Sequence, residues 1–156
     1  MGEVMKYNII ICDTREKQNK YIIDYFKSIK QDYLISKLET GDYMLYNDYT
    51  TIIDKKRNLL ELCNNLCRKD EHERVKREIL RAKKLGCKNF IFLIQENKIK
   101  TIQDIKKWYS PYTKVRGFVL YKIMKTMQER YNIKFVITSK NNMGKEIVKL
   151  LGGKNV

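Results

Sequence analysis

Long apolar runs are missing from this sequence. None approaches the roughly 20 residues needed to cross a bilayer, so no membrane-spanning segment is expected among its 156 residues. The opening stretch, Met1 to Tyr7, has no apolar core of the kind a secretory signal carries. Histidine is reduced to one, His72, inside the charged run Glu71-His72-Glu73-Arg74, where a surface role is expected rather than that of a catalytic base. Cysteine is limited to four. Cys63 and Cys67 have helical i, i+4 spacing, but no second pair and no histidine stand at zinc-ligand distance. All four read as small buried hydrophobes in a reducing compartment, which places the protein in the cytoplasm. The one proline, Pro111, in a chain rich in Lys, Ile and Asn, reflects AT-rich coding and says nothing of function. Acid is also short: 18 Asp plus Glu against 33 Lys plus Arg, a formal charge of +15. That excess favours a polyanionic partner, nucleic acid ahead of a membrane surface.

What is present reads as one domain over residues 1–156, without repeats or low-complexity segments. Ile9-Ile10-Ile11-Cys12 is a short β-branched run, the pattern of a strand buried on both faces. Thr14 is a candidate cap for the next helix, whose apolar face is Tyr21, Ile22, Tyr25, Phe26 and Ile29. Tyr33 to Leu38 reads as a strand, and Leu59 to Leu66 as a short helix. Arg68 to Leu85 reads as a charged helix with Val75, Ile79, Leu80 and Ala82 as its apolar stripe and Gly86 closing it. Phe90 to Ile94 and Ile133 to Ile137 are further strands. Phe118 to Arg130 is helical, with Val119, Ile123, Met124 and Met127 as its stripe, and so is Asn142 to Leu151. The late alternation of strands and helices predicts parallel strands covered on both faces.

Gly41 to Lys56 is the stretch with chemistry in it. Turn formers Asn47 and Asp48 separate two strand-like pieces, giving a β-hairpin. Asp42 opens the first strand, and Asp54 and Lys56 close the second on one face, because side chains alternate along a strand. A two-residue loop at Asn47-Asp48 sets Asp42 opposite Ile53, on the wrong face. A three-residue loop, or a bulge, sets it opposite Asp54. The second register gathers two carboxylates and a lysine, a set suited to a hard cation such as Mg²⁺ and to phosphodiester hydrolysis. The first leaves a surface hairpin with ordinary charged ends.

Three blocks in order, Ile11-Cys12-Asp13-Thr14-Arg15-Glu16, Gly41-Asp42-Tyr43 and Ile53-Asp54-Lys55-Lys56, resemble the nuclease domain of the XPF and Hef structure-specific endonucleases, within the restriction-enzyme-like nuclease superfamily. The family's Glu-Arg-Lys is here Asp54-Lys55-Lys56, and its following acid is Glu61, one place later than in the eukaryotic form. The resemblance implies an α/β fold with a mixed central sheet, a hairpin carrying the acidic site and helices on both faces. It also implies Mg²⁺-dependent cleavage of DNA near branches or junctions, Mn²⁺ substituting, in a bacterial or phage-infected cell. Asp42, Asp54 and the Lys55 carbonyl would bind the metal, Lys56 would orient the attacking water, and Asp13 would act through a water or a second metal. Arg15 and Glu16 would support them or face phosphate. Dimerisation through the nuclease domains is implied with less force. A single nuclease domain is expected, with no helix-hairpin-helix domain after it.

Without such a domain the chain must hold DNA itself or borrow a separate DNA-targeting partner. Its candidate surface is Asn97 to Gly117, where Lys106, Lys107, Lys114 and Arg116 interleave with Trp108, Tyr109 and Tyr112. Charge would meet phosphates and rings would meet exposed bases. The same aromatics suit a connection packed on the core. Two other readings remain open: a non-catalytic nucleic-acid-binding protein on this fold, and an interaction protein whose basic face meets an acidic partner.

Overall fold

The isoleucine run forms the second strand of a six-stranded sheet. A computed structural model describes residues 8–153; the Met1 to Tyr7 stretch read for targeting signals lies outside them. In chain order the elements are β1 (Ile9–Cys12), α1 (Lys20–Ser28), β2 (Asp32–Ile35), β3 (Tyr43–Leu45), β4 (Asp48–Lys56), α2 (Leu59–Cys67), α3 (Lys69–Lys84), β5 (Asn89–Gln95), α4 (Gly117–Tyr131), β6 (Lys134–Thr138) and α5 (Met143–Leu151). The sheet order is β2-β1-β3-β4-β5-β6. β1 pairs with β2, β4 with β5, and β5 with β6 in parallel, while β3 runs antiparallel to both β1 and β4. The mixed α/β architecture is the one expected, and among the described residues no helix is long and apolar enough to cross a membrane.

Alternation along the strands divides the core in two. Ile10, Cys12, Tyr43, Ile53, Ile91 and Leu93 face α1 and α5, meeting Ile22, Phe26, Met143 and Ile147. Ile11, Met44, Ile52, Phe90, Phe92 and Ile94 face α2, α3 and α4, meeting Leu59, Leu62, Val75, Ile79, Leu120 and Met124. Each fully buried Ile, Leu, Phe or Met side chain contributes about 1.5–3 kcal/mol, so burial on both faces holds the sheet in place.

Several local expectations change. Thr14 caps nothing: α1 starts at Lys20 after Asn19, because Asp13 ties the intervening turn to Arg15 instead. Leu80 is 55% exposed, one residue past the buried Ile79 and so turned about 100° off the stripe. Val119 is likewise exposed, and Leu120 takes its place in the core. The Asn97 to Gly117 connection contains a 3₁₀ helix, Ile102–Lys107, started by a capping box in which Thr101 and Asp104 satisfy each other's backbone N–H groups. All four cysteines have free thiols, with Cys67 half-buried and the other three buried. His72 has Nδ1 2.8 Å from the Leu66 carbonyl oxygen, which anchors the start of α3.

Candidate active site at the strand ends

The parallel strands β1, β4, β5 and β6 all end at one edge of the sheet, and antiparallel β3 begins there. That topology gathers Asp13, Asp42 and Asp54 at one edge. The hairpin reaches the required register through a bulge. Tyr43 pairs with Ile53 and Leu45 with Asp48, so two steps along β3 are matched by five along β4. The turn lies at Tyr46-Asn47, one place earlier than the turn formers suggested; Asn47 takes a left-handed φ of 56°, and Asp48 already belongs to β4. One step beyond the Tyr43–Ile53 pair, Asp42 comes opposite Asp54. Its N–H donates to the Ile53 carbonyl at 2.8 Å. Gly41, at φ +77°, makes the approach to this strand, where a Cβ would overlap the Ile52 side chain.

Asp54 and Lys56 share the face of Ile52, on the α2–α3 side, and Lys55 points the other way. Lys56 Nζ lies 3.2 Å from Asp54 Oδ1, with both side chains buried. Burial alone would lower the Lys56 pKa, but the Asp54 charge and hydrogen bond outweigh it and leave the ammonium above its usual range. Asp42 Oδ2 accepts the Lys55 N–H at 2.7 Å. Burial, then the charges of Asp54 and Glu16, hold the Asp42 carboxyl well above the usual carboxylate range. On the opposite face Lys55 Nζ pairs with Glu16 at 3.3 Å and lies 5.5 Å from the centre of the Tyr21 ring.

Asp13 is 2% exposed and fully committed. Its Oδ1 accepts the Leu38 N–H at 2.8 Å and its Oδ2 the Arg15 Nε–H at 2.8 Å. Burial pushes this carboxyl up, and the Arg15 and Leu38 bonds more than reverse it, leaving it below the usual range. Asp13 thereby anchors β1 to the segment entering β3.

These groups line a cleft of about 500 Å³ together with Arg57, Glu61, Arg74, Glu78 and Arg81. Arg57 Nε pairs with Glu61 at 3.1 Å, and Asn58 caps α2 by accepting the Glu61 N–H. The sequence offers the Arg68 to Lys84 helix as a whole as the alternative DNA face, but it does not single out these residues, because most positions outside the apolar stripe are charged. A signal existed, since Arg74, Glu78 and Arg81 repeat at i, i+4, i+7 beside the apolar Val75, Ile79 and Ala82. Among the described residues no three His, Cys, Asp or Glu side chains form a ready metal cluster. The donor set is instead two carboxylates, each with one oxygen engaged and one carrying no hydrogen bond among the described residues. A hard divalent cation that keeps several waters suits that set.

The Asn97 to Gly117 candidates are not part of this cleft. Lys106, Lys107, Lys114 and Arg116 are all exposed. Trp108 packs against the core, whereas Tyr109 and Tyr112 are 81% and 82% exposed, so the open rings are the two tyrosines.

The opposed carboxyl shifts predict a pH profile. Asp42, raised in the fold, contributes stability that is full below its unfolded pKa and is lost as pH rises through the raised value. Asp13, depressed, contributes stability present above its unfolded pKa and lost as pH falls through the lowered value. Without divalent cations the protein should therefore be most stable in mild acid and weaker at neutrality. Asp42→Asn, which keeps an acceptor for the Lys55 N–H, should raise the melting temperature at pH 7–8. Circular-dichroism melts across pH check this; an unchanged or lower value at neutrality would contradict crowded carboxylates.

A family model, the ERCC4 domain, matches residues 12–151. Among solved structures, XPF from Aeropyrum pernix aligns with a TM-score of 0.69 at 16% identity, over 92% of this chain and 63% of that one. The same protein in complex with DNA gives 0.68 at 16% identity with the same coverage. At that identity the likeness concerns the fold, and this chain spans less than two thirds of the length of those structures. A search of curated proteins by sequence finds no match.

Proposed function

The chain belongs to the ERCC4-domain family, and from that premise we propose that it is a divalent-metal-dependent DNA endonuclease acting at branched or junction DNA. One observation carries the reading: the β4 bulge sets Asp42 opposite Asp54 with Lys56 on the same face, inside a cleft rimmed by arginines. Asp42 and Asp54 would hold Mg²⁺ or Mn²⁺ through their open oxygens, with the Lys55 carbonyl completing the set from the main chain. When bound, such a cation supplies Lewis-acid polarisation and a water of lowered pKa. Lys56, kept protonated by Asp54, meets charge developing on a phosphate oxygen. Glu16 holds Lys55 to the wall of the cleft, and Asp13 fixes Arg15 at its mouth.

Incubation with linear, nicked, flapped, forked and four-way DNAs in Mg²⁺, Mn²⁺ or EDTA tests the reading. Metal-dependent cuts near the branch support it. Binding without cutting in every metal favours the non-catalytic reading, and binding to neither DNA nor RNA favours an acidic protein partner. A homodimer, or a separate DNA-targeting protein, would be needed if cutting appears only at high protein concentration or in extract.

The exposed lysines of the Asn97 to Gly117 connection extend the DNA surface. Lys106→Ala with Lys107→Ala should flatten the log-log salt dependence of duplex binding by about 1.8, at about 0.9 per phosphate contact. Tyr109→Ala with Tyr112→Ala should weaken substrates with unpaired bases, by about 1–3 kcal/mol per stacked base. Salt-titrated anisotropy reads both, and parental behaviour from both folded variants would make the segment a connection only.

A further inference from the structure

The α3 wall of the cleft has no role in the account above. Arg74, Glu78 and Arg81 lie one residue behind the buried Val75, Ile79 and Ala82, which places them along the margin where α3 meets the sheet. All three line the cleft that holds Asp54 and Lys56. Arg74 is held from behind. Its Nε and Nη2 donate to Glu71 Oε2 at 3.1 and 2.6 Å, and its Nη1 donates to Glu78 Oε1 at 2.8 Å. A guanidinium has five N–H donors, so part of the fork stays unused, and the side chain is 43% exposed. Arg81 is positioned from the other direction, its Nη1 donating to the Glu39 carbonyl at 3.3 Å. Thr40 Oγ1 donates to the Glu78 carbonyl at 3.4 Å. Glu39 and Thr40 lead directly into Gly41 and Asp42, so both bonds tie α3 to the strand bearing the acidic pair.

The floor of this cleft sets two carboxylates, Asp42 and Asp54, against the ammonium of Lys56. A phosphate held there meets Lys56, while its neighbours along the strand must have their charge met from the walls. Arg74 and Arg81 are seven residues apart on one helix, about 10.5 Å along its axis, far enough to meet two different phosphates of one strand. We propose that Arg74 and Arg81 grip the phosphates of the cleaved strand on either side of the scissile one, with Glu71 and Glu78 holding Arg74 in place. The ligand is a continuous polynucleotide strand, since a mononucleotide or free phosphate engages one arginine at most. This rests on the nuclease reading for which strand is gripped.

The test measures binding rather than cutting. Anisotropy titrations of a labelled branched DNA in EDTA, over a salt series, compare the parent with Arg74→Ala, Arg81→Ala and Arg77→Ala. Arg77 is exposed on the same helix and does not line the cleft, so it controls for net charge. Arg74→Ala and Arg81→Ala should each lower the log-log salt slope by about 0.9, and their combination by about 1.8, while Arg77→Ala leaves it unchanged. If Arg74→Ala fails to fold once Glu71 and Glu78 lose their cation, Arg74→Gln keeps donors to them without the charge and reads the same slope. With Mg²⁺, the cleft variants should raise KM more than they lower kcat. Equal slopes for all three variants, or slopes equal to the parent, overturn the grip. A parent that binds but never cuts removes the nuclease reading while the slopes still decide the arginines.

Discussion

Asp54→Asn should lower phosphodiester cleavage by about three orders of magnitude or more while DNA binding in EDTA stays the same or tightens. Asparagine fills the same buried space and can still accept from Lys56, whose Nζ lies 3.2 Å from Asp54 Oδ1. What disappears is the charge. On the proposed reading Asp54 is one of the two carboxylates that would hold a hard cation. It is also the main counter-charge that keeps Lys56 protonated. Binding responds in the opposite direction because one repulsive charge leaves the cleft floor. Single-turnover cleavage of a junction with Mg²⁺, set beside anisotropy in EDTA, separates the two effects. An Asp54→Asn variant that cuts as the parent does would mean other residues carry the chemistry.

Gly117→Ala should destabilise the fold by about 3–4 kcal/mol, at the upper end for overpacking. Gly117 is the buried first residue of α4, and its N–H donates to the Trp108 carbonyl at 2.9 Å. A Cβ there would overlap the Ile105 carbonyl oxygen and stand 2.6 and 2.7 Å from the Trp108 carbonyl oxygen and nitrogen. All of these are main-chain atoms, so no side chain can swing aside. The chain must instead lift the Ile102–Lys107 helix off α4, breaking the seat of the buried Ile105. At about 2–4 °C per kcal/mol for a domain of this size, the melting temperature should drop by about 10 °C. Hydrogen exchange should show the loss concentrated between residues 99 and 117. A melting temperature within 2 °C of the parent would mean that the approach is looser than the distances state.

Much of the site was legible because strand alternation is strict. Asp54 and Lys56 had to share a face wherever β4 lay, and Asp42 had two permitted registers. Choosing between them needed the bulge, a property of two strands together that no single strand's pattern reveals. Asn47 announced a turn correctly, but its left-handed φ suits more than one turn position, and Tyr46 gave no turn signal of its own. Thr14 had the composition of a helix cap, yet the stronger pull came from Asp13 on Arg15 and on Leu38, 25 residues away. Trp108 invited a reading as a free ring because basic residues surround it; its packing on the core depends on α4, whose position the local sequence does not state. The α3 wall was legible as a basic helix, Arg68 to Lys84, that could face DNA, but not residue by residue. Outside its apolar stripe the helix is charged, and Arg74 and Arg81, which line the cleft, differ from Arg77 by their angle about the axis.

The bulge in β4 also bears on how the hairpin can change over evolutionary time. Residues beyond it, from Leu45 through the turn to Asp48, are paired in a register of their own, so the tip can lengthen, shorten or exchange its turn without disturbing the pair at Asp42 and Asp54. Inside the bulge, by contrast, the loss of one residue exchanges the faces of every side chain that follows until pairing is restored. The hairpin therefore has a tip free to drift in length and a base whose spacing is locked in parity, with the three extra residues as the joint between them.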